Sequence, residues 1–207
     1  TSVVIRWRTN VPTSTRVRYG TSLGALSLNA DQLTVTTEHV LAISNLVPST
    51  RYYYSVGSTE TEKEGNDEDH SFVTAPAPGS AVPTRIWVIG DSGTANSDAR
   101  RVRDAYYAYP GAMQTNLWLM LGDNAYESGR DSEYQTAVFD MYPAMLSRSV
   151  LWPTIGNHDT AQSQNAPATL PYFEMFSLPT GGEAGDMASG TERYYSFDYG
   201  NIHVVCL

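Results

Sequence analysis

Two kinds of hydrophobic spacing divide this 207-residue chain. Over residues 1–75 the apolar positions come in short alternating runs at 3–7, 15–19, 38–44, 52–56 and 70–73, each of which reads as a half-buried strand. Turn-forming residues separate the runs at intervals that suit a β-sandwich. Residues 74–83 (TAPAPGSAVP) then bring proline, alanine and small polar residues together, the composition of a semi-rigid linker. Beyond it the period changes. A continuous apolar run at 86–89 is followed by Ala99, Val102, Ala105, Tyr106 and Tyr109 at helical spacing. The unit repeats with a strand at 117–121, then Tyr134, Val138, Met141, Tyr142 and Met145 on a helix disturbed by Pro143, then a strand at 150–155. Such alternation predicts a mostly parallel sheet covered by helices with right-handed crossovers. Residues 160–192 read as a long loop, and 194–199 and 202–207 as two strands joined at Gly200-Asn201. The predicted division is a β-domain over 1–75, a linker over 76–83 and an α/β domain over 84–207.

Composition narrows the function. Hydrophobic residues make up 41% and charged residues 17% of the chain, which describes a globular protein, and no apolar stretch reaches the roughly 20 residues of a membrane span. The net charge of −9 is uneven: residues 1–78 hold six basic and eight acidic residues, whereas 79–207 hold seven and fourteen. So acidic a second half argues against a nucleic-acid backbone as partner and would be partly neutralised by bound cations. A single cysteine, Cys206, excludes an internal disulfide and sits in an apolar run, where a buried thiol is expected. The acidic run 60–69 (ETEKEGNDED) reads as an exposed hairpin tip without a function. His39, His70 and His203 fall on or beside strands and read as structural. The Arg100, Arg101, Arg103 cluster reads as the solvated face of a helix.

The candidate chemistry lies where the three predicted parallel strands stop. Gly90-Asp91-Ser92-Gly93, Gly122-Asp123-Asn124-Ala125-Tyr126 and Gly156-Asn157-His158-Asp159 each follow one of these runs. In open α/β sheets ligands bind beyond the carboxyl ends of the strands, so these cassettes are expected to converge. Each opens on glycine, which turns sharply without a Cβ penalty. Asp91, Asp123 and Asn157 offer carboxylate or amide oxygen, Tyr126 a phenolate and His158 a nitrogen, a set suited to hard metal ions rather than to thiolate chemistry. Asp159 reads as a residue that orients its surroundings.

Two resemblances follow from these motifs. Leu46-Val47-Pro48-Ser49-Thr50-Arg51-Tyr52 resembles the L-x-P-x-T-x-Y corner of fibronectin type III domains, with Tyr52 in the tyrosine-corner role and Trp7 as a core aromatic. The three cassettes, with Asp91, Asp123 and Asn157 spaced 32 and 34 residues apart, resemble the first three blocks of the metallophosphoesterase superfamily. Gly93 stands where most of that superfamily has histidine, and Tyr126 is added in the second block, which is the pattern of purple acid phosphatases.

That resemblance implies a fibronectin type III-like β-sandwich followed by the first half of an αββα metallophosphoesterase domain. It implies that Asp91 and Tyr126 bind one metal, Asp123 bridges two, Asn157 binds the second, and catalytic His158 contacts the phosphate or its leaving group. The binuclear centre would hold Fe(III), with a visible phenolate band, and a divalent iron, zinc or manganese ion. A metal-bridging hydroxide would hydrolyse small phosphate monoesters, in an extracellular or periplasmic setting, with neither nucleic acid nor membrane as partner. The family's later V-x-x-H and G-H-x-H blocks have no match after Asp159. These residues are therefore expected to be a fragment that binds metal weakly and hydrolyses little. Phosphodiester or diphosphate hydrolysis, and a non-catalytic binding module on a degenerate phosphatase half, stay open. The residues specify neither the substrate nor the oligomeric state.

Overall fold

In the computed structural model of the chain, residues 1–161, 170–182 and 188–207 are described. Of the loop expected over 160–192, residues 162–169 and 183–187 lie outside them. Contacts gather into two units, Thr1–Ser80 and Ala81–Leu207.

The first unit is a sheet domain of five strands, β1 (Val3–Gly20), β2 (Leu28–Ile43), β3 (Arg51–Gly57), β4 (Glu62–Gly65) and β5 (Ser71–Val73). The path runs β2-β1-β3-β4, with β5 also on β3, and all pairs are antiparallel. The pattern predicts two strands at 3–7 and 15–19, yet β1 is continuous. Its pairing to β2 shifts register between Arg8 and Thr15, and Pro12, which has no N–H to donate, falls in that irregular stretch. A bulge here does the work of a turn. Ile5, Leu41, Ile43 and Leu46 then share one buried cluster with Val17, Tyr52, Tyr54, Val56 and Phe72, so both ends of the long ribbon close on the same core. At the corner, the Val47 N–H donates to the Tyr52 hydroxyl at 3.2 Å, and the Thr74 hydroxyl donates to the Val47 carbonyl at 2.6 Å. Part of the acidic run is not a hairpin tip but the edge strand β4, whose charged side chains suit an exposed edge. Further along, Asp67 Oδ1 accepts from the Asp69 and His70 amides and pairs with His70 Nδ1, which accounts for the turn.

The second unit is built on three parallel strands in the order β6-β7-β8, β6 (Ile86–Ile89), β7 (Leu117–Leu121) and β8 (Leu151–Thr154). Helix α1 (Ser97–Tyr107) starts at Asn96, whose side chain accepts from the Asp98 and Ala99 amides at 2.9 Å. Its Tyr106 stacks on Trp87 at 4.1 Å between centroids; Trp87 stacks on Trp118, and Tyr142 meets Trp118 edge-on. The opposite face of the sheet is packed by Trp152, stacked at 3.7 Å on Phe197 of the antiparallel hairpin β9 (Tyr195–Tyr199) and β10 (Ile202–Cys206). Each such aromatic pair contributes about 0.5–1.5 kcal/mol beyond burial. The single helix expected around Tyr134 to Met145 is two. α2 (Asp131–Tyr134) widens into a π-helical turn at Gln135–Phe139 and stops, and α3 (Pro143–Leu146) begins on the proline, which is a good first helical residue and a poor interior one. α4 (Pro171–Met175), also opened by proline, lies within the stretch read as loop and buries Tyr172 and Met175. Among the described residues no helix is long and apolar enough to cross a membrane. Cys206 is buried and unpaired.

His39 gives the first unit a pH dependence. It is buried and stacks on Trp7 at 4.7 Å. The Thr9 hydroxyl donates its one proton to the Val11 carbonyl, so at 2.9 Å it accepts from His39 Nε2, and Nδ1 accepts from the Thr15 hydroxyl at 2.7 Å. The fold thus holds a neutral ring, and burial, opposed by the Glu38 charge, keeps its pKa below the ordinary 6.5. The stability this adds is complete above about pH 6.5 and is lost as pH falls through the lower folded value. Urea midpoints are expected to drop over that acid window in the wild-type chain, and His39→Phe is expected to remove that component of the slope.

Candidate functional site

Parallel pairing puts the ends of β6, β7 and β8 at one edge of the sheet, and the cassettes leave from there. Their backbones then touch. The Asp91 N–H donates to the Gly122 carbonyl at 3.2 Å and the Gly93 N–H to the Asp123 carbonyl at 3.1 Å, while the Tyr126 N–H returns a bond to the Gly93 carbonyl at 3.0 Å. A Cβ on Gly93 would lie 2.6 Å from the Asn124 carbonyl carbon and the Ala125 nitrogen, so no side chain fits where most of the superfamily resembled above has histidine. A Cβ on Gly156 would collide with the Asp123 backbone nitrogen, and one on Gly129 would lie 2.6 Å from the Asp159 carbonyl. These glycines serve close approach. Of the three that open the cassettes only Gly122 has a left-handed backbone, with φ of 90°, and the turn-based reading fails for Gly90 and Gly156. The left-handed turns fall instead on Asp91 (φ 53°) and Asp123 (φ 51°), non-glycine residues in a conformation that costs roughly 1–2 kcal/mol. Strain of this kind gathers at functional sites.

Held in this way, Asp91, Asp123 and Tyr126 meet. The Tyr126 hydroxyl lies 3.1 Å from Asp91 Oδ1 and 3.1 Å from Asp123 Oδ2, one proton shared between two carboxylates. Desolvation, then the bonds to Asp123 and Asp91 and their charges, push the phenol far above its ordinary pKa of 10. Among the described residues no Lys or Arg pairs with either carboxylate. Three hard oxygen donors with no cationic side chain to neutralise them fit a metal ion, whose charge would take the place of the shared proton.

The third cassette joins through His158. Its backbone N–H donates to Asp123 Oδ1 at 3.0 Å, its ring meets the Tyr126 ring edge-on at 4.5 Å, and its Nδ1 lies 2.7 Å from the Glu127 carbonyl. That carbonyl, followed by the Asp123 charge, raises the imidazole pKa above 6.5 against some desolvation. With Nδ1 engaged, Nε2 is the nitrogen left for a ligand. Asn157 lies between Gly156 and His158 with its side chain exposed, and among the described residues no hydrogen bond joins it to Asp91, Asp123 or Tyr126.

Two residues that sequence patterns do not single out support these loops. Glu133, at the start of α2, is desolvated, yet it accepts from the Arg130, Ser128 and Glu127 amides at 2.8–3.0 Å, and these bonds hold its pKa below the usual carboxylate value. Tyr134, fully buried, donates to Asp159 Oδ1 at 2.6 Å. Helical spacing reads Tyr134 only as core; the available signal was that a buried tyrosine hydroxyl needs a partner.

Comparison with known proteins gives a likeness at the level of family and fold. Residues 1–74 match the family model described as the purple acid phosphatase N-terminal domain. Purple acid phosphatase 23 of Arabidopsis thaliana is 27% identical over 193 residues, covering 82% of this chain and 40% of its own length. A purple acid phosphatase of Glycine max is 28% identical over 177 residues, covering 82% and 35%. The chain resembles the purple acid phosphatases. It spans less than half the length of these relatives. The fold is shared with the purple acid phosphatase from yellow lupin (Lupinus luteus) seeds, at a TM-score of 0.66 and 14% identity over 96% of this chain and 41% of that one. It is shared as well with PhoD, at 0.63 and 14% identity over 96% and 47%.

The close-approach argument separates two glycines in equivalent sequence positions. Gly156→Ala is expected to cost about 3 kcal/mol through overpacking against Asp123. Gly90→Ala, whose Cβ would meet only the Leu121 side chain at 3.4 Å and the Leu121 carbonyl oxygen at 4.0 Å, is expected to stay within about 1 kcal/mol. Urea unfolding of the two variants measures the difference.

Proposed function

We propose that the second unit is the first half of a metallophosphoesterase domain and that its strand-end loops contribute ligands to a binuclear metal centre for phosphate monoester hydrolysis. The observation that carries this reading is the Tyr126 hydroxyl between the Asp91 and Asp123 carboxylates. In this reading Asp91, Tyr126 and Asp123 would hold Fe(III), and Asp123 with Asn157 would hold a divalent iron, zinc or manganese ion. The ions would supply Lewis acidity and an activated water for in-line displacement. The chain's own residues do the rest. Asp91 and Asp123 concentrate negative charge for cations, Tyr126 offers its oxygen between them, the Glu127 carbonyl turns the His158 ring, and His158 Nε2 would face the phosphate or the leaving oxygen as a proton donor. The first unit, over 1–75, is read as a fibronectin type III-like domain joined by a linker at 76–83. The sequence relatives, named as purple acid phosphatases, support a phosphatase activity; small phosphate esters as substrates and an extracellular or periplasmic site of action belong to the same reading.

Loading the chain with Fe(III) is expected to produce a visible phenolate-to-iron band. Tyr126→Phe is expected to abolish it while leaving the far-ultraviolet circular dichroism spectrum unchanged. A colourless wild-type protein with iron bound would refute the assignment of Tyr126. Assays on aryl and alkyl monoesters beside diesters test the reaction class in a protein that also supplies the later histidine blocks.

A further inference from the structure

Asp159 touches both loops that carry the proposed bridging and second-metal ligands, and it does so from a position with no solvent exposure. Its carboxylate accepts from the Asn124 amide at 3.1 and 3.2 Å, from Asn124 Nδ2 at 2.9 Å and from the Gly156 amide at 2.8 Å. Asn124 directly follows Asp123, and Gly156 directly precedes Asn157. The remaining donor is the Tyr134 hydroxyl at 2.6 Å, which reaches the site from α2. Asn124 gives its other side-chain N–H to the Thr154 carbonyl at 2.9 Å, at the end of β8, and its own Oδ1 is left buried without a partner. An amide that leaves its oxygen unsatisfied so that both N–H groups face acceptors has its orientation set by those acceptors.

We propose that Tyr134, acting through Asp159, is a positioning residue for the metal centre: the buried Tyr134–Asp159–Asn124 network fixes the second and third loops relative to each other and thereby sets metal affinity, although among the described residues the Tyr134 hydroxyl is hydrogen-bonded to Asp159 and to none of the proposed ligands. This rests on the proposed metal site. Without the hydroxyl, Asp159 Oδ1 keeps only the long bond to the Asn124 amide, while Oδ2 keeps Asn124 Nδ2 and the Gly156 amide, so the carboxylate loses the one donor that fixes its torsion from outside the two loops. The loops of Asp123 and Asn157 stay linked through Oδ2, but the carboxylate that links them can pivot, and their spacing is less sharply fixed. Outer hydrogen-bond partners of metal ligands commonly change affinity 10–100-fold.

The test is Tyr134→Phe in the whole chain, with Mn(II) affinity read by titration calorimetry and the Fe(III) band read by absorption. Val138→Ala, which removes buried volume from the adjoining π-helical turn and no hydrogen bond to the loops, is the stability control. The expected result is a Mn(II) Kd raised about 10–100-fold and a shifted or weakened iron band in Tyr134→Phe, with both unchanged in Val138→Ala at a comparable loss of Tm. Unchanged Mn(II) affinity in Tyr134→Phe overturns the proposal, as do equal losses in the two variants. A wild-type chain that takes up no metal removes the proposed function itself and this inference with it. Should Tyr134→Phe not fold, hydrogen exchange on the wild type decides: metal must slow exchange at the Asn124 and Gly156 amides more than at Val138, because coupling between metal and network is reciprocal, and equal effects overturn the proposal.

Discussion

Backbone can lie against backbone only where no Cβ intervenes, and the second unit depends on that contact. Gly93 against the Asn124–Ala125 peptide, Gly156 against Asp123 and Gly129 against Asp159 bring three separate strand-end loops within hydrogen-bonding distance. Parallel pairing alone would put the loops on one edge with neighbours about 4.8 Å apart at the strand level, and side chains would then hold the loops off one another. The glycines remove that spacing. Asp91 and Tyr126, 35 residues apart in sequence, can then share one hydrogen bond.

The same contacts create an electrostatic problem. Two carboxylates converge on one phenol in the acidic half of the chain, with no Lys or Arg pairing either of them among the described residues. Without a cation the arrangement is held by a proton that the phenol cannot readily release. The left-handed backbone at Asp91 and Asp123 adds local strain. Both costs run against folding and both are met by the surrounding network, in which Glu133 gathers three amides and Asp159 gathers three amide-type donors and a hydroxyl. Such a site is stabilised from outside its donor set, which is what preorganisation for a cation requires.

How much of this was legible depends on the range of the interaction. The runs at 86–89 and 117–121 match β6 and β7 because buried parallel strands write themselves as short apolar blocks with a glycine after them. The tyrosine corner was readable because Tyr52 and Val47 are five residues apart. The meeting of Asp91, Asp123 and Tyr126 followed from strand-end position. The continuity of β1 was not readable, since its midpoint is polar and holds Pro12, and local pattern does not distinguish a bulge from a turn. Nor was β4, whose charges look the same on an edge strand as in a loop. The purpose of Gly93 and Gly156 was hidden because it concerns atoms about 30 residues away, and Tyr134 was hidden because its apolar ring satisfied the helical period while its hydroxyl did the connecting.

The break between α2 and α3 follows from the same demands. A straight helix from Asp131 through Leu146 would place Tyr134, Val138, Met141, Tyr142 and Met145 on one continuous stripe. The structure asks two things of that stripe. Tyr134 has to reach Asp159 at the loop edge, and Tyr142 has to meet Trp118 and Trp87 over the middle of the sheet. The π-helical turn at Gln135–Phe139 adds a residue to the turn and rotates the stripe, and Pro143 restarts the helix in a new direction. A poorer helix thus places one aromatic on the core and another in the support of the loops. Helical propensity yields here because most helix stability in a packed protein comes from its buried contacts, and all five of these side chains are buried.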